Sequence, residues 1–477
     1  GCDGGETEID SHTCFKGIIP YNQETCCTAA PQGCRWTGCL PGGCNKKTEM
    51  EIYKHDCEGL DGLMNNELCC PAERNQCRWT GSSGERCSSS EVEADYGAGL
   101  LDGLFNDAGK YCCEKKSDLI GQYVSMAKPF GVSPTLFDIP LIGTHHAPTA
   151  HGADHLIECH APGYANIAQT QELTMKQQLE VGVRAFGLRP HCSEDRSRIQ
   201  HYHGQCRYGD LSDHFETIND FLTDHPSEMV VLLLQNFNGF TDTVCDDMFR
   251  AQLENSFSGV NFLSRTDTAS GWPTVEAMVE SNKRVVIVSE KASTSSLFPN
   301  SIAHSWDKAN ENFNSGKDVV GRYYNTADVE GALTAVPDFL NNCAQLRQTA
   351  PRGNRLHLCH VHFYVTMGSD VDLDSILNIA QPPFVLAGPV YEEFSRFEEW
   401  MKITQVNVIF LDFYMHPSYD VGTLDIFRRQ TTRTWMMNSV DQHQLFQLML
   451  GSVCLRHDSQ LDPPAVKLQA CQDTDEF

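Results

Sequence analysis

From about residue 117 onward, short apolar runs recur along the chain, separated by segments patterned for helices. The runs are Ile139–Ile142, Val183–Leu188, Met229–Leu234, Arg284–Ser289, Leu356–Val365 and Val408–Phe413. Most are continuous and do not alternate with polar residues. A strand covered on both faces reads this way because neither face meets water, as in a parallel sheet between helices. Glu172–Val181 and His214–Asp224 place apolar residues at helical spacing. Alternation of strand and helix over roughly 300 residues predicts an α/β fold, with a TIM-type (β/α) barrel as the size match. In such a barrel the chemistry sits where strands end, at their carboxyl ends.

The first 116 residues have a different texture. They hold 14 of the 22 cysteines. Three Cys-Cys pairs fall at 26/27, 69/70 and 112/113, a constant period of 43. Two copies share one pattern: Cys14, Cys26, Cys27 and Cys34 before Arg35-Trp36-Thr37-Gly38, then Cys57, Cys69, Cys70 and Cys77 before Arg78-Trp79-Thr80-Gly81. Units this small bury too little to fold unaided, so disulfides are expected to supply the stability. Zinc is a poorer fit, since His12 and His55 are the imidazoles present there. The predicted organisation is a cysteine-rich repeat region over 1–116, a barrel over 117–450 and a strap over 451–477 carrying Cys454 and Cys471. The repeats are expected to serve a protein or glycan partner.

Net charge is −27, spread along the chain. Such a surface repels phosphate backbones and excludes nucleic acid as a partner. Apolar runs stay well short of the ~18 residues of a membrane span. The cysteine density and a start at Gly1 point to a processed, secreted protein.

The polar residues at the strand ends are the candidate site. Run one closes on Gly143-Thr144-His145-His146, run two on Leu188-Arg189-Pro190-His191, run three on Gln235, and the last includes Asp412. His201-Tyr202-His203-Gly204 follows the second. Two imidazoles, a guanidinium and a carboxylate are the parts of acid–base phosphoryl chemistry. One imidazole takes the attacking oxygen's proton, the other protonates the leaving oxygen, and the guanidinium holds the charge on phosphorus-bound oxygens.

Ile139-Pro140-Leu141-Ile142-Gly143-Thr144-His145, the step Gln178-Leu179-Glu180-Val181-Gly182-Val183-Arg184-Ala185-Phe186, His203-Gly204, Pro226-Ser227-Glu228 and Asn407–Phe413 occur in one order. Together they resemble the X domain of phosphatidylinositol-specific phospholipase C, within the PLC-like phosphodiesterase superfamily, over residues 130–430. The resemblance implies a phosphodiester substrate, such as a phosphoinositide or glycosyl-phosphoinositide. It makes His145 the general base, His203 the general acid with His201 as the competing position, Arg189 the charge-holding residue and Asp412 the partner of His145. His146, His191, His201 and Gln235 become site neighbours.

The calcium-binding positions of animal members correspond here to His146, Gly187, Arg189 and Gln235, none of them a carboxylate. No metal and no other cofactor is therefore expected. The histidines at 145, 146, 151, 155 and 160 match no helix face or zinc finger. His146 and Gly187 stand where bacterial members carry carboxylates, which motivates an alternative: a catalytically inactive barrel serving as a structural or binding module. Cys192 and Cys206 flank the segment carrying His201 and His203 and are expected to bridge each other.

Overall fold

The computed structural model describes residues 35–36, 44, 49–56, 65–71, 73–74, 77–80, 85–94, 110–128, 131–139, 141–150, 156–159, 168–171, 173–257, 259–291, 297–298, 302–307, 319–323, 358–363 and 408–411. Residues 1–34 with Cys14, Cys26, Cys27 and Cys34, then Cys57, the histidines at 151, 155 and 160, Asp412 and the segment 451–477 lie outside these.

The cysteine-rich part forms two small antiparallel sheets. Strands β1 (Arg35–Trp36), β2 (Glu49–Asp56) and β3 (Asn65–Pro71) make the first, in the order β1-β3-β2. Strands β4 (Glu73–Arg74), β5 (Cys77–Trp79), β6 (Glu91–Ala94) and β7 (Tyr111–Glu114) make the second, in the order β4-β5-β7-β6. Arg35 pairs with Cys69 and Trp36 with Leu68; 43 residues on, Arg78 pairs with Cys112 and Trp79 with Tyr111. The disulfides Cys44–Cys69 and Cys87–Cys112 bear the same offset, and Cys77–Cys113 closes the second sheet.

The remainder is α/β. Its helices are α1 (Leu119–Ala127), α2 (Met175–Glu180), α3 (Leu211–Asp224), α4 (Thr243–Ser256) and α5 (Val275–Glu280). Helix α3 buries Leu211, Phe215, Ile218 and Leu222 along one stripe, as its spacing predicts. Helix α2 starts on a capping box, in which Thr174 and Gln177 satisfy each other's backbone N–H groups. It stops before Gly182, whose φ of 102° suits glycine alone.

Among the described residues the main sheet has nine strands, of which eight follow one another in parallel: β8 (Leu141–Thr144), β10 (Ala185–Leu188), β14 (Val230–Leu234), β16 (Lys283–Ser289), β17 (His304–Asp307), β18 (Val319–Tyr323), β19 (Leu358–Phe363) and β20 (Val408–Leu411). They neighbour one another in the order β14-β10-β8-β20-β19-β18-β17-β16, and β14 also pairs with β16. Each of the eight thus has two parallel partners. Strand β14, Val-Val-Leu-Leu-Leu, is buried throughout, as a strand with neighbours on both edges and helices above should be. Short β15 (Asn261–Leu263) adds to the start of β16.

A third antiparallel sheet stands beside the ends of these strands. It comprises β9 (Leu156–Cys159), β11 (Pro190–Cys192), β12 (Ile199–His203) and β13 (Cys206–Asp210), in the order β11-β12-β13-β9. The expected Cys192–Cys206 bridge is absent. Cys192 pairs with Cys245 on α4, and Cys206 with Cys159. Strand β12 lies between the strands carrying Cys192 and Cys206. Two strand spacings are about 9.5 Å, beyond the roughly 7 Å that a disulfide can span.

One buried core runs from Cys77, Val92 and Cys113 of the cysteine-rich sheet through Leu119 and Tyr123 of α1 to Phe186, Leu232 and Val286. The two parts share this core without a gap.

Candidate active site

Residue pairs across the parallel strands fix which side chains face inward. Thr144 pairs with Phe186, and the Thr144 hydroxyl donates to Gln178 Oε1 at 2.7 Å, so this face looks toward α2. The alternate residues, Gly143 and His145 on one strand and Ala185, Gly187 and Arg189 on the next, occupy the opposite face. Leu188 pairs with Leu234, and Gln235 N–H donates to Leu188 O, which puts Gln235 in step with Arg189.

The turn after β8 is held on all sides. Ala147 N–H donates to Gly187 O at 3.2 Å and Thr149 N–H to His146 O at 3.0 Å. Thr170 Oγ1 and Gln171 Nε2 both donate to His145 O at 2.9 Å. His146 takes a left-handed φ of 47°, uncommon for a residue with a Cβ. A Cβ on Gly187 would sit 3.3 Å from Thr144 O and 3.5 Å from His145 Cα, so the strand approaches this turn closely.

Strand β12 delivers two more imidazoles. The rings of His145 and His146 lie 3.9 Å apart, and His146 stacks on His203 at 3.8 Å and 20°. His145 and His203 are 6.2 Å apart, His146 and His201 5.5 Å. Four of the sequence candidates thus converge. His145, His146 and His201 are fully buried; His203 and Arg189 are half-buried.

Hydrogen bonds assign two tautomers. Arg189 N–H donates to His201 Nδ1 at 3.2 Å, so the His201 proton sits on Nε2. His203 Nδ1 donates to Ala168 O at 2.7 Å, leaving its Nε2 lone pair for the site. Burial and then the Arg189 guanidinium hold the His203 imidazole down at about 3, with the Ala168 bond acting the other way. Burial pushes His146 well below the usual histidine range, and Arg189 with the neighbouring histidines pushes it further. His201 is lowered likewise, by burial and then by His214, His203 and Arg189. All three are neutral at pH 7.

Among the described residues, both nitrogens of His146, Nε2 of His201 and both amide atoms of Gln235 are buried without a hydrogen-bond partner. Such groups are costly unless a ligand completes them. His191 lies apart: its ring meets Tyr202 at 5.8 Å, and burial followed by Arg207 lowers it to about 4. Asp412 lies outside the described residues; Leu411, just before it, pairs with Thr144, just before His145. Among the described residues no cluster of three His, Cys, Asp or Glu is arranged to hold a metal.

Sequence reading passed over Thr170, Gln171 and the special place of Gln178. Gln178 lies inside a quoted motif and could have been singled out by it. Thr170 and Gln171 carry no local signal, because their role depends on where a distant loop passes. Arg184 and Glu228 also belong to quoted motifs, yet they form a fully buried ion pair away from the histidines.

A parallel sheet with imidazoles and an arginine gathered at its carboxyl ends defines an α/β protein with a polar cluster where the strands end. Residues 156–330 match the family model PI-PLC X 1, so this stretch of the chain is similar to the PLC-like phosphodiesterase superfamily. The chain is 26% identical over 137 residues to PI-PLC X domain-containing protein 1 of Arthroderma benhamiae, covering 28% of this chain and 44% of that protein. It is 26% identical over 197 residues to 1-phosphatidylinositol phosphodiesterase of Listeria monocytogenes, covering 41% and 56% respectively. The match spans about half the length of these curated relatives. Among solved structures, phosphatidylinositol-specific phospholipase C from Listeria monocytogenes aligns with a TM-score of 0.45 at 19% identity, over 62% of this chain and 94% of that one. A variant of the Staphylococcus aureus enzyme gives 0.46 at 16% identity, over 62% and 93%.

Proposed function

We propose that the chain is a secreted PLC-like phosphodiesterase that cleaves a phospholipid or related phosphodiester without a metal, on a TIM-type (β/α) barrel. The parallel pairings that lead from β14 through β20 and back to β14 support the barrel. The disulfides support an oxidising, extracellular setting. Among the described residues no helix is long and apolar enough to cross a membrane.

The observation that carries the reading is the gathering of four imidazoles about His146, whose ring lies 3.9 Å from His145, 3.8 Å from His203 and 5.5 Å from His201, beside Arg189. His145 takes the proton of the attacking hydroxyl, a substrate hydroxyl or water, as that oxygen bonds to phosphorus. Arg189 holds the non-bridging oxygens. The bond from phosphorus to the leaving oxygen breaks, and that oxygen takes a proton from His203. Asp412 steadies His145. His203 is neutral in the free protein, so it acts as an acid only once the anionic phosphodiester is bound and draws its affinity for protons upward.

The test is hydrolysis of phosphatidylinositol, sphingomyelin, lysophosphatidylcholine and a chromogenic diester with chelator present, beside His145→Ala. Cleavage that resists chelation and falls about 10³-fold in the variant is expected. Turnover unchanged in His145→Ala would overturn the reading. A second reading is a binding or assembly barrel without turnover. It is favoured by His146, whose ring covers one face of His203 at 3.8 Å. Silence across the panel from folded, oxidised protein would favour it.

A further inference from the structure

Helix α2 touches both the cysteine-rich part and the histidine turn, through adjacent residues. Gln178 is buried, and its amide makes three hydrogen bonds. It accepts from Thr144 Oγ1 at 2.7 Å and donates to Ala147 O at 2.8 Å and Leu173 O at 2.6 Å. Thr144 and Ala147 bracket His145 and His146, so one side chain spans the segment that carries both rings. Gln177, the next residue back, splits its amide differently. Its Oε1 accepts from Thr174 N–H at 2.8 Å, within the cap of the helix. Its Nε2 donates to Glu93 O on β6 at 2.5 Å.

Glu93 pairs with Cys112, and Cys112 is bridged to Cys87. The far end of the helix is tied as well: Lys116 N–H donates to Glu180 O at 2.7 Å. A helix of six residues has almost no stability of its own and takes its position from such contacts.

We propose that α2 conveys the position of the cysteine-rich sheet to the His145–His146 turn, with Gln178 as the positioning residue and Gln177 as the link. The proposal rests on the phosphodiesterase reading only for its activity readout; the geometry of the turn can be read without turnover. Gln178→Met keeps length and volume and removes all three bonds. Gln178→Glu keeps the acceptor for Thr144 and loses both donors, one of which returns when its carboxyl is protonated.

The experiment follows kcat, KM and the ring-proton NMR signals of His145 and His146 in the full oxidised chain. Gln178→Met is expected to lower kcat about 10²-fold with KM little changed, since sub-ångström misplacement of a base acts on the chemical step. Both histidine signals should move. In Gln178→Glu the ratio of kcat to that of the parent should rise as pH falls, which general loosening would not produce. Gln177→Ala, and Cys87→Ser with Cys112→Ser, should shift the same signals in the same direction by less. Folded Gln178→Met or Gln178→Glu with parental signals would overturn the positioning role. Unmoved signals in both Gln177→Ala and the cysteine pair variant would overturn the link. If the parent cleaves no phosphodiester, the functional reading fails and the NMR signals alone decide this proposal.

Discussion

The two ends of the parallel strands bury polar and ionisable groups alike, and treat them in opposite ways. At the amino end, Arg184 precedes β10 and Glu228 precedes β14, and the two pair with no exposure on either side. Arg184 also donates to the carbonyls of Leu179, Val183 and Lys116, and Glu228 accepts from Ile120 N–H. At the carboxyl end, His146, His201 and Gln235 keep buried nitrogens and oxygens that no described neighbour satisfies. A completed network specifies the fold; an incomplete one holds free energy that a ligand can release. The difference separates the end that holds the protein together from the end that reads as chemistry.

The sharpest way to break the contrast is Arg184→Met. It strands the Glu228 charge in the core, and breaking such a pair from one side costs about 3–5 kcal/mol. Guanidinium chloride unfolding should show that loss, while Gln235→Met should not. A loss under about 1 kcal/mol would mean that water or another cation reaches Glu228.

The next effect is in pH. His146 is held below its unfolded value near 6.5, so the unfolded chain binds more protons below that pH. Stability is therefore complete above about 6.5 and falls as pH drops through that value toward the lower folded one. Between pH 7 and pH 5 the parent should lose more stability than His146→Phe does. Parallel loss in the two proteins would show that His146 is protonated in the native state.

The smallest effect has the opposite sign from the first. Gln235→Met removes an unsatisfied buried amide and should raise stability by about 1 kcal/mol while weakening ligand binding. Calorimetry with and without a phosphodiester analogue checks both. A destabilised variant would show that Gln235 is already partnered in the free protein.

Much of the parallel sheet was legible because burial on both faces leaves an unbroken apolar run. Met229–Leu234 and Arg284–Ser289 became β14 and β16 almost residue for residue. Strands β17 and β18 escaped notice: His304–Asp307 contains three polar residues, and Val319–Tyr323 is broken by Gly321 and Arg322. The antiparallel sheet escaped as well, since its short strands are polar and their order depends on tertiary contacts. For the same reason the partners of Cys192 and Cys206 could not be read from spacing. The ordered motifs singled out His145, Arg189, His201 and His203, which the fold gathers. They gave no hint that His146 would turn left-handed and stack on His203, because that depends on the path of the chain after β8.

The sheet bearing His201 and His203 has two edge strands, β11 and β9, and each is stapled by a disulfide. Cys192 ties one edge to α4, and Cys159 ties the other to its neighbour β13. Bridges closing separations of 53 and 47 residues each restrict the unfolded chain by roughly 4 kcal/mol. An open strand edge is also a template for another chain. The β11 edge is already taken by Asn238, which exchanges backbone hydrogen bonds with Pro190 and Cys192, whereas the outer edge of β9 pairs with no described strand. What the bridges add is fixed placement of the two outer strands beside His201 and His203, and the proportion of natively folded product should track how promptly Cys159 and Cys192 are oxidised.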